Sequence, residues 1–224
     1  MAIDVEFKKR VKNTAYSRFF AARRYEKLNN YSLFSLTAAS FCLIFATIFQ
    51  SYSNSIMFSP TTLELFQLVS SIIIATLSIV VSLSSYSTKA EKMRTSGEEL
   101  NFIVSQIEQL LNNCTEAQEN EIRTEYDYKK VKSLNHQNFE FEYGKAERKR
   151  EENGESVKIS VSSILHNWLP FIPYATISAA SIIFVMVMIF NFSQISGSTS
   201  NTENHKNTTE INVHINLCND KDQD

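Results

Sequence analysis

Polar and apolar positions along this chain fall into long blocks rather than short alternations. Residues 31–49, 65–86 and 169–192 contain no Lys, Arg or Asp, and the only nearby Glu is Glu64, just before the second block. Each block approaches the roughly 20 residues that a helix needs to cross a bilayer. A single charge at the centre of such a helix costs about 2.5–3.5 kcal/mol on insertion scales. The pattern predicts an all-α membrane protein. Spans at about 31–50 and 64–86 form a transmembrane hairpin (31–87), and a third C-terminal transmembrane helix lies within 166–192. The alternative is a large helical protein with three buried core helices.

The polar stretches between the blocks read as helices too. Residues 1–30 carry a basic amphipathic helix over 5–28, in which Tyr16, Phe19, Phe20 and Tyr25 mix with arginines. Such a helix either lies on the inner leaflet, attracted by anionic lipid, or docks on its neighbours. Asn29-Asn30 is expected to break or bend the chain before the first span. From Thr62 to about Leu111 only Gly97 interrupts the helical pattern, and a lone glycine is tolerated. About 50 residues at 1.5 Å each would make a rod of roughly 75 Å, of which the hydrocarbon layer takes only about 30 Å. Leu100, Ile103, Val104, Ile107 and Leu111 form a helical seam on this arm, a candidate contact between copies.

Asn112-Asn113 is expected to end the rod. Thr115 then caps a second helix running to about Leu134, with Ile122, Tyr126 and Val131 facing inward. The charged stretch "FEFEYGKAERKREENGESVK" is expected to be helical in part and loose around Gly154. Trp168 stands where an interfacial aromatic belongs, and Pro170 and Pro173 fit the first turn of the third span. The arm over 88–165 is too small to bury much surface by itself. It needs the N-terminal helix, another copy or a partner. The tail over 193–224 is rich in Ser, Thr, Asn and Gly and reads as flexible. Within it, 210–217 alternates Ile211, Val213, Ile215 and Leu217 with polar residues, a pattern for a short strand or for disorder.

Composition sharpens the reading in one respect: 4 Gly and 3 Pro in 224 residues leave little turn chemistry for a sheet. Charge adds a topology. Of the 22 Lys and Arg residues, eight precede the first block, twelve lie between Lys89 and Lys158, and only Lys206 and Lys221 follow the third block. Positive-inside bias then places the N-terminus and residues 88–165 in the cytoplasm, with the short loop near 55–62 and the C-terminal tail outside. The expected location is the inner (plasma) membrane, as a multi-pass protein. A polar lead of about 30 residues is too long for the n-region of a cleavable signal peptide.

Candidate chemistry is sparse. Cys42, Cys114 and Cys218 fall in different compartments under this topology, and no CxxC occurs. Cys218 could bridge two copies. No GxGxxG, P-loop, HExxH or GxSxG is present. His136, His166, His205 and His214 are scattered. The expectation is no enzyme, no cofactor and no metal. The basic cluster Lys145, Arg148, Lys149 and Arg150 reads either as topology charge or as a ligand surface.

Within the bilayer the pattern is more informative. Ser71, Ala75, Ser78, Ser82 and Ser85 form a stripe of small residues on the second span, and Ser35, Ala39, Cys42 and Ala46 form another on the first. Small stripes let helices approach closely in lipid. The second stripe carries more hydroxyls than packing needs, so it is a candidate pore or helix-packing face. Glu64 and Gln67 would stand at its outer mouth, where a ring of Glu64 would favour cations; otherwise Glu64 is an exposed interfacial residue.

Several stretches in order, "SRFFAARRYEKLNNYS", a charge-free hairpin, "SSYSTKAEKMRTSGEELNFIVSQIE" and "TEYDYKKVKSLNHQNFEFEY", resemble the SLATT proteins, the SMODS and SLOG-associating two-transmembrane effector group. The resemblance covers about residues 5–145. It implies a prokaryotic membrane effector of anti-phage conflict systems that forms pores or permeabilises the membrane when a partner senses infection. Taken with the small buried surface of the arm, it leads to the expectation of a homo-oligomer in the lipid bilayer. The implied partners are a SLOG sensor, a nucleotide-second-messenger synthase or, for the subgroup this sequence looks closest to, a reverse transcriptase. No direct contact with nucleic acid is expected. The chain departs from the family pattern in its third span, its outer tail and the lack of a fused sensor. A second reading is a non-conducting scaffold that recruits cytosolic partners through the helical arm. In the effector reading, a rigid rod over Lys89–Leu111 would turn the serine face of the second span.

Overall fold

Charge-free and charged stretches alike become helix, because the local sequence holds few helix breakers. The computed structural model describes residues 4–52, 60–110, 115–154 and 156–190. Among them are α1 (Val5–Tyr52), α2 (Pro60–Ser84), α3 (Tyr86–Leu110), α4 (Glu116–Lys132), α5 (Asn138–Asn153) and α6 (Val161–Trp168). A 3-10 turn (Leu169–Phe171) follows, then α7 over 172–190. No strand occurs among the described residues. Asn112-Asn113, Leu111, Cys114, Cys218, the loop near 55–59, the tail and the strand pattern at 210–217 lie outside them.

Helix α1 runs unbroken through Asn29-Asn30, where a bend was expected. The Asn29 carbonyl accepts the Ser32 hydroxyl at 2.8 Å and the helix continues. Its inward positions recur at steps of three and four: Phe7, Val11, Thr14, Arg18, Ala21, half-buried Tyr25, Leu28, Ser32, Ser35, Ala39, Cys42 and Ala46. This single seam changes chemistry along its length, from apolar through polar to small, so no one hydrophobicity pattern reveals it.

Two compact units divide the chain. The first comprises Met1–Leu36 and Thr76–Thr176, the second Thr37–Ala75 and Ile177–Asp224. In the first, the N-terminal part of α1 packs on α3 and α4. Phe7, Val11 and Ala15 meet Leu100, Ile103, Val104, Ile107, Ile122 and Tyr126 in one core. The N-terminal helix thus supplies the apolar cover that the polar arm lacks by itself. A second cluster near the apolar blocks joins Leu28, Phe171 and Tyr174, flanked by Tyr25, Val81 and Tyr86. In the second unit, Ala46 of α1 meets Met188 of α7, flanked by Phe49 and Phe184. Phe66 of α2 stacks on Phe184 at 4.6 Å.

The outward sides of these apolar segments carry large hydrophobics: Phe34, Phe41, Ile44, Leu65, Leu68, Ile72, Ile79, Ile183 and Phe190 are all exposed. Exposed apolar surface on that scale suits lipid and not water. Among the described residues, three helices are long and apolar enough to cross a membrane. This is a helical membrane protein.

The expected uninterrupted rod is broken. Ser85 has φ of 49°, the one non-glycine residue with positive φ in the structure described. It separates α2 from α3. The two helices also bury different phases of the chain. Half-buried Leu77, Val81 and Ser84 precede the break, and Tyr86, Ala90, Met93, Gly97 and Leu100 line the packed side after it. A continuous helix would carry the first series on to residue 88, not 86. The left-handed residue absorbs that slip of two positions.

Helix α4 starts as its sequence implies. Thr115 accepts the Gln118 N–H at 3.4 Å, and Gln118 Oε1 accepts the Thr115 N–H at 3.0 Å, a capping box. Ile122 and Tyr126 face the core, but Val131, expected inward, is 84% exposed. Pro170 sits in the 3-10 turn and Pro173 at the head of α7, where a missing N–H costs little.

Candidate functional site

The four small residues Ser71, Ala75, Ser78 and Ser82 of α2, and Ser85 just after it, are all exposed. Each lies one position beyond the inward-turned series Ser70, Ile74, Leu77, Val81 and Ser84. The equivalent stripe on α1 behaves in the opposite way. Ser35, Ala39, Cys42 and Ala46 are between 0% and 7% exposed, enclosed by the chain's own helices. Two stripes with the same spacing therefore differ in use: one is filled within the chain, the other is left outward. Glu64 is exposed and Gln67 half-buried near the start of α2.

Leu100, Ile103, Val104 and Ile107, the expected seam between copies, are between 0% and 3% exposed. Their partners are α1 and α4 of the same chain. They are core residues, and another copy could reach them only by displacing α1. Leu111, the last member of that seam, lies outside the described residues.

The charged segment is helical in part, as expected: α5 ends at Asn153 with Gly154 as its cap, and up to Glu152 it is strapped to α1. Lys12 pairs with Glu152 at 3.2 Å, Tyr16 donates to Glu151, Arg23 pairs with Glu147 and Arg24 pairs with Glu140 at 3.0 Å. Phe20 stacks on Tyr143 at 4.4 Å. Arg148, once a candidate ligand cation, is buried and donates from Nε to Asn13 Oδ1 at 2.7 Å. Gly144 permits this approach: a Cβ there would stand 2.6 Å from Ser17 Cα. Gly97 does the same on α3, where a Cβ would meet the Phe19 ring at 3.0 Å.

Two polar side chains, Arg18 and Glu140, are fully buried, and a third, His136, is half-buried. Arg18 donates to Ser96 Oγ and, at 3.2 Å, to the Lys130 carbonyl. Burial lowers its pKa, although a guanidinium stays charged near neutral pH. Glu140 accepts Arg24 Nη1 at 3.0 Å and the Gln137 N–H at 2.7 Å. Burial nevertheless pushes its carboxyl above the usual range, the hydrogen bonds and Arg24 offsetting only part of the effect. His136 Nδ1 is buried without a partner. Burial, with Arg18 and Lys130 nearby, pushes its pKa down. From the sequence, Arg18 reads only as a topology charge and His136 as one of four scattered histidines. The available signal was phase: Arg18 occupies a seam position of α1, three or four residues from Thr14 and Ala21.

No group of His, Cys, Asp or Glu side chains among the described residues is arranged to hold a metal.

Over residues 4–192 the chain matches the SMODS and SLOG-associating 2TM effector domain family 5. The chain belongs to this family. Its description names two transmembrane segments, whereas this SLATT chain has three candidate spans among its described residues, and the matched region runs through the third. The outward stripe of α2 and the buried arginine layer both fall inside that region. No curated protein and no solved structure matches the chain.

Proposed function

We propose that this SLATT protein is a membrane effector of a prokaryotic anti-phage system, that several copies assemble through the outward small-residue face of α2, and that assembly permeabilises the inner membrane. The observation that carries the reading is the contrast between the two stripes. Small residues in a span earn their place by letting another helix approach. On α1 the small residues are buried within the chain, and on α2 they are exposed. Hydroxyls on this face would border water in an assembly, with Glu64 and Gln67 at its outer mouth. The N-terminus and the unit holding α3–α5 face the cytoplasm, consistent with the concentration of Lys and Arg there.

The trigger is cytoplasmic and comes from a separate partner: a SLOG sensor, a nucleotide-second-messenger synthase or a reverse transcriptase. Ser85 is the joint through which the polar unit would act on α2. A left-handed serine between two helices is a locally strained residue of the kind found at switches.

Membrane potential in bacteria, read with a voltage-sensitive dye after induced expression with the neighbouring sensor genes, tests this. Wild type should depolarise cells. The Ser78→Leu, Ser82→Leu double variant, at matched protein level, should not. Equal depolarisation by both would remove the α2 face from the mechanism. A silent wild type with intact partner recruitment would favour a non-conducting scaffold.

A further inference from the structure

Beside the first apolar stretch of α1 the structure holds a pocket of ≈ 220 Å³, lined among others by Arg23, Arg24, Lys27, Tyr31, Asn167 and Trp168. We propose that this pocket binds a phosphate-bearing ligand, and that the ligand is the headgroup of an anionic phospholipid. The proposal does not depend on pore formation.

Charge is the first argument. Three cations converge on one cavity, and their counter-charges do not cancel them. Arg23 pairs with Glu147 on the exposed side, both side chains at least 40% exposed. Arg24 pairs with Glu140 through Nη1. Lys27 is exposed and forms no ion pair among the described residues. Glu26, next to it, is engaged by Arg94 at 3.0 Å. The lining is left with a net positive charge.

Donor capacity is the second. Arg24, 7% exposed, lines the pocket, and a guanidinium carries five N–H donors, of which its bond to Glu140 uses one, so donors remain for an anionic oxygen. Arg24 also lies over the Phe139 ring at 4.8 Å, which fixes its plane.

Size and position choose the ligand. The volume is below the roughly 300–1,000 Å³ of pockets for drug-sized molecules, so it suits a phosphate with a small substituent and not a whole dinucleotide. Tyr31 opens the first apolar block, and Trp168 precedes the third. Aromatics of this kind mark the level of lipid headgroups. A phosphate held there would come with its acyl chains already in the bilayer, beside the exposed Leu33 and Phe34.

Trp168 is the only tryptophan in the chain and lines the pocket, so its fluorescence reports on this site directly. The full chain in a neutral detergent would be titrated with short-chain phosphatidylglycerol, with phosphatidylcholine of equal chain length, and with inorganic phosphate. Phosphatidylglycerol should give a saturable change in Trp168 emission that phosphatidylcholine does not. Lys27→Gln should weaken it about fivefold, the effect of one interfacial cation. Lys92→Gln, an equal loss of charge on exposed α3 surface, should leave the curve in place. Saturation by inorganic phosphate at the same concentration as the lipid would keep the phosphate site and assign it to a soluble anion. Equal response to both lipids would overturn the proposal. So would a Lys27→Gln curve matching wild type, or an equal loss in Lys92→Gln.

Discussion

Arg24 of α1 and Glu140 of α5 form an ion pair at 3.0 Å in which Glu140 is fully buried and Arg24 nearly so. Both Glu140 oxygens are used, since the second accepts the Gln137 N–H that begins α5. One carboxylate therefore caps a helix and docks it. Removing one partner of such a pair strands a buried charge, which costs about 3–5 kcal/mol. Glu140→Gln should lower the melting temperature markedly in detergent. The double variant Arg24→Leu, Glu140→Leu should recover much of the loss, because it leaves no unpaired charge. A double variant no better than the single would mean that the docking, not the charge balance, is what the pair supplies.

Gly144 is the point where α5 touches the backbone of α1. An added methyl would stand 2.6 Å from Ser17 Cα, and helix backbone cannot move aside as a side chain can. Gly144→Ala should therefore destabilise by about 1–3 kcal/mol, the usual range for overpacking. Higher helix propensity would work the other way by roughly 1 kcal/mol. Thermal unfolding of the purified chain measures the sum, and limited proteolysis should show α5 released first.

Ser85 is held at φ 49° between α2 and α3. Glycine accepts that conformation freely, so Ser85→Gly should stay within about 1 kcal/mol of wild type. Ser85→Val puts a β-branched residue where the left-handed region is strongly disfavoured and should cost about 1–2 kcal/mol. If the joint is needed for signalling, Ser85→Val should also lose sensor-dependent depolarisation while still reaching the membrane. Identical melting curves for the two variants would show that the joint carries no strain.

His136 makes stability fall in mild acid. Its folded pKa lies below the ordinary value near 6.5, because burial and the nearby Arg18 and Lys130 disfavour the charged ring. Below about pH 6.5 the unfolded chain binds the proton more readily, so stability drops as pH falls towards the depressed folded value. Glu140 acts in the opposite sense, since its raised folded pKa favours the protonated native state as pH falls towards the carboxylate range. Comparing wild type with His136→Gln at pH 7.5 and 5.5 separates the two. The variant should lose less of its melting temperature on acidification.

Some of this was legible without a structure. The capping box at Thr115 is written in four consecutive residues, and the inward positions Ile122 and Tyr126 follow from helical spacing. Val131 does not follow, because α4 ends one residue later at Lys132 and nothing covers its last turn. The strap between α1 and α5 was invisible. Its members are Lys, Arg, Glu and Tyr, which any solvated helix face also carries, and only proximity shows that Lys12 and Arg23 meet Glu152 and Glu147. The continuity of α1 past Asn29-Asn30 was equally hidden, since asparagine is a weak breaker that a packed helix overrides.

The sequence by itself determined that this chain is helical and that three of its segments belong in lipid. Both are local properties: the cost of burying charge in hydrocarbon and the scarcity of Gly and Pro act residue by residue. Only the tertiary structure decided which of two similar small-residue stripes is buried and which is exposed. It also placed Arg18, Arg24 and Glu140 inside, and set one left-handed serine between α2 and α3. Each of these depends on what a residue meets after folding, and a residue type carries no record of its partner.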